Sequence, residues 1–190
     1  MTGLCYIKNA LVISHRYVND IVKPGDTVID ATAGNGNDTA FLAELVGNDG
    51  HVYAFDVQQQ ALSNTRLRLE NAGLSGRVTL IHDGHQNMDK YVKVPVSAVM
   101  FNFGYLPGGD KSIGTKGDTS IEAIQKALTL LKPGGMCMAV LYYGGCSGFD
   151  EKNAIMDFIK TLDFKQYSVI VHDFCNRPNC PPIAVSIEKV

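Results

Sequence analysis

The sequence predicts an α/β protein: one domain, residues 1–190, built on a seven-stranded, mostly parallel sheet with an antiparallel last strand. Seven apolar segments rich in β-branched residues alternate with segments whose apolar residues recur at helical spacing. Such alternation indicates right-handed crossovers and helices on both faces of the sheet. The last two strand segments are joined only by CNRPNCPP, and strands connected so briefly pair antiparallel.

The elements follow one another in the order that these patterns set. Strands are predicted at residues 27–31, 51–57, 77–82, 96–104, 136–144, 166–174 and 183–190. Helices are predicted at residues 38–47, 58–73, 120–131 and 150–162, with LENAG and LKPGG as stops. An N-terminal helix at residues 8–23 is expected to cover one edge of the sheet, and residues 88–92 form at most one turn.

The composition is that of an ordinary globular protein, with 45% hydrophobic and 19% charged residues. No uncharged apolar run reaches the ~20 residues that a membrane span needs, and no basic leader is present. We therefore expect a cytoplasmic protein without a membrane partner. The net charge of −2 excludes a global attraction to nucleic acid, so any RNA contact must be local.

The stretch DATAGNGNDTA, which begins at Asp30, lies where the first strand turns into the first helix. In doubly wound sheets, ligands bind beyond the carboxyl ends of the strands at such a turn. Gly34 and Gly36 allow positive φ and a close approach to a ligand, and Asn35 and Asn37 tolerate left-handed geometry while offering amides. Asp30 either braces the loop or reaches a ligand amine. A plain Gly/Asn turn is the weaker interpretation, because a turn alone needs no such set.

Two acids after the second and third strands extend the predicted site. Asp56, about 20 residues beyond Gly36, suits a carboxylate that accepts both ribose hydroxyls of a nucleoside cofactor, and Gln58 follows it. NAD and S-adenosylmethionine sites share this feature, but Thr39 replaces the third glycine of the dinucleotide fingerprint and weakens the NAD interpretation. Asp83 is placed to accept from an adenine amino group, with a helix cap or loop acid as the equal alternative.

Metal binding is not expected. His82 and His85 lack partners at ligand spacing, so we interpret them as loop residues lining the cofactor. Five scattered cysteines favour reduced thiols over a disulfide framework. Cys175 and Cys180 bracket NRPN without the two further ligands that zinc requires.

A long glycine-rich loop follows the fourth strand, and long loops in compact domains are usually functional. Its residues Asn102 and Tyr105, in NFGY, resemble the Asn-Pro-Pro-Tyr motif of amine methyltransferases. That resemblance implies that the Asn102 carbonyl orients an attacking nitrogen while an aromatic ring packs against the substrate. Methyl transfer to nitrogen needs a neutral amine in line with the methyl group, so positioning matters more than a strong base.

Further side chains are expected to bind the acceptor. Tyr105 suits stacking on a base, and Lys111 and Lys116 suit phosphates. The alternatives are a packed tyrosine and solvated lysines, and for the lysines the solvated state is favoured. Candidates from the C-terminal half of the chain are Tyr142, Tyr143, Arg177 and Asn179.

These motifs together resemble a known family. The matching stretches are GDTVIDATAGNGNDT, VYAFDVQ, HDGHQNM, FNFGYLPGGDKSIGTK, LKPGG, YYGG and NRPNCPPIAVSIEK. Over nearly its whole length the chain resembles the YtqB/MnmM-type tRNA methyltransferases, a family earlier described as rRNA methylases. The resemblance implies a class I, Rossmann-like methyltransferase fold, whose parallel sheet ends in an antiparallel pair.

The resemblance also implies the reaction. The donor would be S-adenosylmethionine, and the acceptor the aminomethyl nitrogen of a wobble uridine, giving 5-methylaminomethyl-(2-thio)uridine in tRNA. It places Asn35, Asn37, Asp56, Gln58 and residues 82–85 against the cofactor.

The implied RNA partner is the anticodon loop, which the catalytic face would bind through stacking and local positive charge. A homodimer that joins two basic patches is one way to strengthen this binding. The family pattern carries Gln where this chain has Arg177. Three alternatives stay open: methylation of rRNA or of a small amine, an NAD-dependent oxidoreductase, and a non-catalytic S-adenosylmethionine-binding module.

Overall fold

A computed structural model describes residues 7–104, 114–144 and 148–190. The helices of these residues are α1 Ala10–Ile21, α2 Asn37–Val46, α3 Gln59–Ala72, α4 Met88–Tyr91, α5 Gly117–Leu130 and α6 Gly148–Ile159. The strands are β1 Thr27–Asp30, β2 His51–Asp56, β3 Val78–His82, β4 Val96–Phe103, β5 Leu131–Leu141, β6 Tyr167–His172 and β7 Ile183–Lys189. Short 3₁₀ turns occupy Ser75–Arg77 and His85–Asn87.

The seven strands form one sheet in the order β3-β2-β1-β4-β5-β7-β6. Neighbours from β3 to β5 pair parallel, whereas β7 pairs antiparallel with both β5 and β6. The predicted mostly parallel sheet with an antiparallel last strand is therefore confirmed. The short connection between β6 and β7 leaves no room for a crossover helix, which is why this pair breaks the parallel pattern.

Helices cover both faces of the sheet. On one face, Val28 of β1 belongs to an apolar cluster with Val18 of α1 and Leu42 of α2. On the other, Ile29 of β1 clusters with Ile124 of α5, as well as with residues of α6. Because the central strands are buried on both sides, their sequences are continuous apolar runs rather than alternating ones.

The N-terminal helix differs from its predicted position. We expected it at an edge of the sheet, but α1 packs across the face of β5, β7 and β4 near the middle. The expectation was wrong because β5, the strand that α1 mainly covers, is buried over its last seven residues and needs cover on this face. Ala10 and Val18 are the apolar α1 residues buried there.

The start of β5 also differs from the prediction. LKPGG, expected only as a helix stop, already belongs to the strand: Leu131 pairs with Val96, and the register then shifts. Gly134 has φ +72°, and a Cβ on Gly135 would approach the Lys132 carbonyl oxygen to 2.8 Å. The two glycines therefore allow an irregular strand start directly after α5.

The strand order reverses at β1, which has β2 on one side and β4 on the other. The helices that follow β1 and β4 pack on opposite faces of the sheet. A crevice therefore opens beyond the carboxyl ends of β1 and β4, the usual ligand position in such sheets.

Candidate active site

A cavity of about 900 Å³ lies beyond the carboxyl ends of β1 to β5. This volume falls within the range of small-molecule and cofactor sites. The predicted site residues that line it are Gly34, Asn35, Asn37, Asp56, Gln58, Asp83, His85, Asn102, Lys116, Tyr142 and Tyr143. The predicted residues Asp30, Gly36, His82, Arg177 and Asn179 lie outside this lining. Tyr105 and Lys111 lie outside the described residues.

The glycine turn after β1 is fixed from two sides. The Gly34 backbone N–H donates to Asp56 Oδ2 at 2.9 Å, and the Gly34 carbonyl accepts the Thr65 hydroxyl at 3.1 Å. Gly36 has φ +76°, and a Cβ there would lie 2.9 Å from the Thr65 Cα. The turn therefore needs glycine at position 36 both for its conformation and for its contact with α3.

Asp30 is fully buried beneath this turn. Its carboxylate accepts the Thr32 backbone N–H at 3.1 Å and the Thr39 hydroxyl at 2.6 Å. Of its two predicted roles, the structure shows the bracing one. Burial raises the pKa of Asp30 to about 7, and the neighbouring Asp38 adds to this rise. Thr39, in place of the third fingerprint glycine, supplies the hydroxyl that holds Asp30.

Asp56 holds the turns after β1 and β2 together. Its second oxygen, Oδ1, accepts the Gln58 backbone N–H at 2.9 Å. Each carboxylate oxygen has two lone pairs, and each uses one for these backbone donors. Asp56 can therefore accept two further hydrogen bonds from within the cavity, as a ribose diol requires.

Asp83 organises the turn after β3. It accepts hydrogen bonds from the Gly84 backbone N–H at 2.7 Å, the Asn87 amide at 2.8 Å and the Tyr91 hydroxyl at 2.9 Å. These bonds, that from Asn87 foremost, hold the pKa of Asp83 below its usual range. The carboxylate stays ionised and keeps acceptor capacity on Oδ2. It can therefore shape the loop and also accept from a ligand amine.

The two histidines of this turn have different surroundings. His82 is exposed and does not itself line the cavity, and its Nε2 donates to the carbonyl of Val57, a lining residue, at 3.0 Å. His85 lines the cavity, and its Nδ1 donates to the Ala31 carbonyl at 3.2 Å while its ring meets Phe101 and Phe103 edge-on. Burial lowers the pKa of His85 to about 4, so the imidazole is neutral at neutral pH.

Asn102, near the end of β4, is held through both its backbone and its side chain. Its backbone N–H donates to the Thr32 hydroxyl at 2.7 Å, and its Nδ2 donates to Asp38 Oδ2 at 2.6 Å. The other oxygen of Asp38 lies 2.7 Å from His15 Nε2. Neither Asp38 nor His15 was predicted from the sequence as a site residue. An acid in the first turn of α2, directly after the glycine turn, is the only local signal in the sequence.

Gly104, directly after β4, and Thr115, shortly before α5, are joined by two hydrogen bonds. Thr115 donates its backbone N–H to the Gly104 carbonyl at 3.1 Å and accepts the Gly104 N–H on its hydroxyl at 3.0 Å. That hydroxyl donates to the buried Glu151 at 2.8 Å, which also accepts the Ser120 hydroxyl at 2.6 Å. These bonds fix Gly104 and Thr115 to each other and to α6.

Tyr142 and Tyr143, which follow β5, line the part of the cavity that we call its outer end, and an aromatic and a cationic group contact Tyr143. The Tyr143 and Phe149 rings meet edge-on with centroids 5.4 Å apart, and the Lys152 Nζ lies 4.9 Å from the Tyr143 ring centroid. Tyr142 lies beside them and is 43% exposed. The outer end of the cavity therefore offers flat apolar surfaces next to a positive charge.

Arg177 does not point into the cavity. Its guanidinium donates to the Lys8 carbonyl at 2.7 Å and the Ile7 carbonyl at 3.0 Å, and lies 3.8 Å from the Phe174 ring centroid. These contacts fasten the residues before α1 to the β6–β7 turn. Asn179 has φ +64° in the same turn. Cys180 and Pro182 are the residues of this turn that line the cavity.

Comparison with known proteins decides which family this architecture represents. Residues 52–188 match the family described as "Putative rRNA methylase". The chain belongs to this family. A crystal structure from Clostridium thermocellum described in the same words is 56% identical, with a TM-score of 0.96 over 97% of this chain and 99% of its own.

Two further proteins that are similar to this member of the rRNA-methylase family are informative. A protein from Arabidopsis thaliana named tRNA (mnm(5)s(2)U34)-methyltransferase, chloroplastic, is 36% identical over 192 residues, 96% of this chain and 70% of its own. A Streptococcus mutans protein described as a methyltransferase, crystallised with S-adenosylhomocysteine, is 43% identical, with a TM-score of 0.89 over 97% and 99% of the two chains. The family resemblance seen in the sequence and the class I methyltransferase fold are confirmed.

The described residues provide neither a metal-binding cluster nor a membrane-spanning helix. They contain no group of three or more His, Cys, Asp or Glu side chains that could hold a metal ion. In the same part of the chain, no helix is long and apolar enough to cross a membrane. Its three cysteines, Cys137, Cys175 and Cys180, are unpaired.

Proposed function

We propose that this protein transfers the methyl group of S-adenosylmethionine to the aminomethyl nitrogen of 5-aminomethyl-(2-thio)uridine at the tRNA wobble position. The product is 5-methylaminomethyl-(2-thio)uridine. One observation carries the proposal: the diol-binding acid Asp56 and the amide of Asn102 line the same cavity. The name of the Arabidopsis relative specifies this nucleoside.

The residues near β1 to β3 fit the cofactor. Asp56 has two free lone pairs for a ribose diol, and Asp83 has acceptor capacity for an adenine amino group. The neutral His85 and Phe55 supply apolar wall for a base. When bound, S-adenosylmethionine supplies an electrophilic methyl group on a positively charged sulfur.

Asn102 fits the orientation of an acceptor amine. Because its Nδ2 donates to Asp38, its carbonyl oxygen is the end that can accept an N–H of the amine. Accepting that hydrogen bond turns the nitrogen lone pair away from Asn102, toward the cofactor part of the cavity. A neutral amine is already a competent nucleophile, so geometry is the main contribution required of the protein.

The outer end of the cavity fits a nucleotide in an unpaired loop. Tyr142, Tyr143 and Phe149 offer rings for base stacking, and Lys152 and Lys116 offer charge for phosphates. The whole chain carries a net charge of −2, so attraction to RNA has to come from such a local group. This favours an anticodon loop. A homodimer that joins two such surfaces and a cytoplasmic location stay predictions.

The deciding experiment supplies methyl-labelled S-adenosylmethionine with tRNA bearing 5-aminomethyl-2-thiouridine and identifies the labelled nucleoside by mass spectrometry. We expect label on the aminomethyl nitrogen, and none in matched tRNA whose wobble uridine lacks the amine. Ribosomal RNA and small amines form parallel arms, because the family description names rRNA. Label in rRNA or a small amine but not in tRNA would overturn the tRNA assignment. The assignment as a methyltransferase would then stand, provided that a separate titration shows that S-adenosylmethionine binds.

A further inference from the structure

Asn102 is the last member of a chain of three side chains from three elements. His15 of α1 lies 2.7 Å from Asp38 Oδ1, and Asp38 of α2 accepts Asn102 Nδ2 on its other oxygen at 2.6 Å. Asp38 and Asn102 both line the cavity. The side chain of His15 is 29% exposed and that of Asp38 only 5% exposed. The chain of hydrogen bonds therefore runs from near the surface to the reaction site.

We propose that Asp38 and His15 are positioning residues that determine which end of the Asn102 amide faces the acceptor amine. The inference rests on the proposed function of Asn102 as the group that orients that amine. It assigns roles to two residues outside the glycine turn and the NFGY stretch.

The chemistry of an amide makes this selection necessary. The two ends of an asparagine side chain have almost the same shape but opposite hydrogen-bonding character. If the NH₂ end of Asn102 faced the substrate, it would donate to the amine lone pair and occupy the electrons that must attack the methyl group. An ionised carboxylate only accepts, so Asp38 binds the NH₂ end of Asn102 and leaves the carbonyl end for the amine.

His15 completes the arrangement by holding Asp38. Its Nε2–H donates to Oδ1, and this bond fixes the rotation of the carboxylate so that Oδ2 faces the Asn102 amide. The ring of His15 stacks on Phe41, with centroids 4.1 Å apart and planes inclined by 12°. His15 therefore has two separable properties, a donor and a stacking ring, and our inference depends on the donor.

Two substitutions separate these properties. His15→Phe keeps a ring that stacks on Phe41 and removes the donor, whereas His15→Gln removes the ring and keeps a donor close to the position of Nε2. We expect His15→Phe to lower kcat by about tenfold or more, with KM and S-adenosylmethionine affinity changed less than about twofold. His15→Gln should retain kcat within about threefold of the wild type. The reverse order, with Gln impaired and Phe active, would show that stacking matters and would overturn the inference.

Asp38→Asn tests the selecting group itself. Asparagine can present either a donor or an acceptor to Asn102, so the orientation of the Asn102 amide is no longer selected. We expect kcat to fall by about tenfold to a hundredfold while S-adenosylmethionine still binds. Unchanged kcat in this variant would contradict the role of Asp38.

A spectroscopic readout keeps the inference separate from the proposed function. The side-chain ¹H–¹⁵N signals of Asn102 report the hydrogen bond to Asp38 whatever the acceptor is. We expect them to shift in Asp38→Asn and His15→Phe and to stay near their wild-type positions in His15→Gln. If the Asn102 signals of all three variants stayed at their wild-type positions, the inference would be overturned. If the wild-type protein methylated no tRNA, only the proposed function would be overturned.

Discussion

The carboxylate of Asp56 and the backbone N–H of Gly34 are joined by a 2.9 Å hydrogen bond, so the acid that ends β2 also fixes the turn that follows β1. The turn after β1 and the end of β2 are therefore joined directly and do not depend on a ligand to bring them together. Because Asp56 also accepts from Gln58, its orientation is set before a cofactor arrives. Preorganisation of this kind reduces the entropy lost on binding.

Asp56→Ala should abolish measurable binding of S-adenosylmethionine. The substitution removes both acceptors for the ribose hydroxyls and releases the Gly34 turn, so we expect affinity to fall by at least about a hundredfold. Isothermal titration calorimetry measures the change. Asp157→Ala is the matched control, because Asp157 is an exposed acid whose ion pair with Lys160 lies on the surface. Equal affinities of the two variants would exclude Asp56 from the cofactor site.

Asn102→Ala should separate binding from turnover. Its side chain is expected to contact the acceptor amine and not the cofactor, so S-adenosylmethionine should bind within about threefold of the wild-type affinity while kcat falls by at least about a hundredfold. Calorimetry and single-turnover assays measure the two effects. Full turnover in this variant would show that the NFGY stretch does not orient the substrate.

Gly36→Ala should destabilise the fold more than Gly73→Ala does. Both glycines have positive φ, +76° and +69°, so both substitutions carry a conformational cost of about 1–2 kcal/mol. Only at position 36 would the new methyl group meet backbone, the Thr65 Cα at 2.9 Å, whereas nothing lies within 4 Å at position 73. Urea unfolding of both variants measures the difference. Equal losses in the free energy of unfolding would mean that α3 can move away from the new methyl group without loss of stability.

Asp30 should make the protein less stable as pH rises. The pKa of its carboxyl is raised from 3.8 to about 7, so between these values the unfolded chain loses the proton while the folded protein keeps it. The free energy of unfolding therefore falls by up to ~1.4 kcal/mol per pH unit and levels off above pH 7. Asp30→Asn should remove this slope in urea unfolding from pH 4 to 8. A constant difference between the two proteins across this range would contradict the raised pKa.

Lys152→Ala should weaken binding of the tRNA substrate without slowing the methyl-transfer step. Lys152 lies over Tyr143 at the outer end of the cavity, so its loss should raise KM for tRNA several-fold and leave kcat unchanged. The salt dependence of KM should also become less steep. Lys160→Ala, an exposed lysine just beyond α6, is the control and should change neither value. If both substitutions changed KM to a similar extent, the effect would come from the overall charge of the protein and not from a specific contact of Lys152 with tRNA.

The fold was predictable because its signals are local. Strand segments, helix periods and the short β6–β7 connection are all visible within windows of about ten residues. The position of α1 was not predictable, because an amphipathic pattern shows that a helix needs a surface but does not show which strands provide it. The edge was a reasonable expectation, and the position of α1 was instead set by the buried β5.

The site was predictable where topology determines it. The carboxyl ends of β1, β2 and β4 meet, so Gly34, Asp56 and Asn102 could be grouped from the strand pattern alone. His15 and Asp38 were missed because their hydrogen bonds join residues 23 and 64 positions apart, with no motif to link them. Arg177 binds carbonyl groups about 170 positions away, which no local pattern indicates.

The paired Gly104 and Thr115 have a consequence for how this enzyme family can diversify. Their mutual bonds and the anchor at Glu151 are made by the Gly104 backbone and by groups of Thr115 and Glu151. Substitutions within residues 105–113 remove none of these bonding groups, so selection for a new acceptor can act there while Asn102 keeps its support at the end of β4. The groups that suit the methyl donor and the stretch of sequence on which acceptor specificity can evolve are therefore separate.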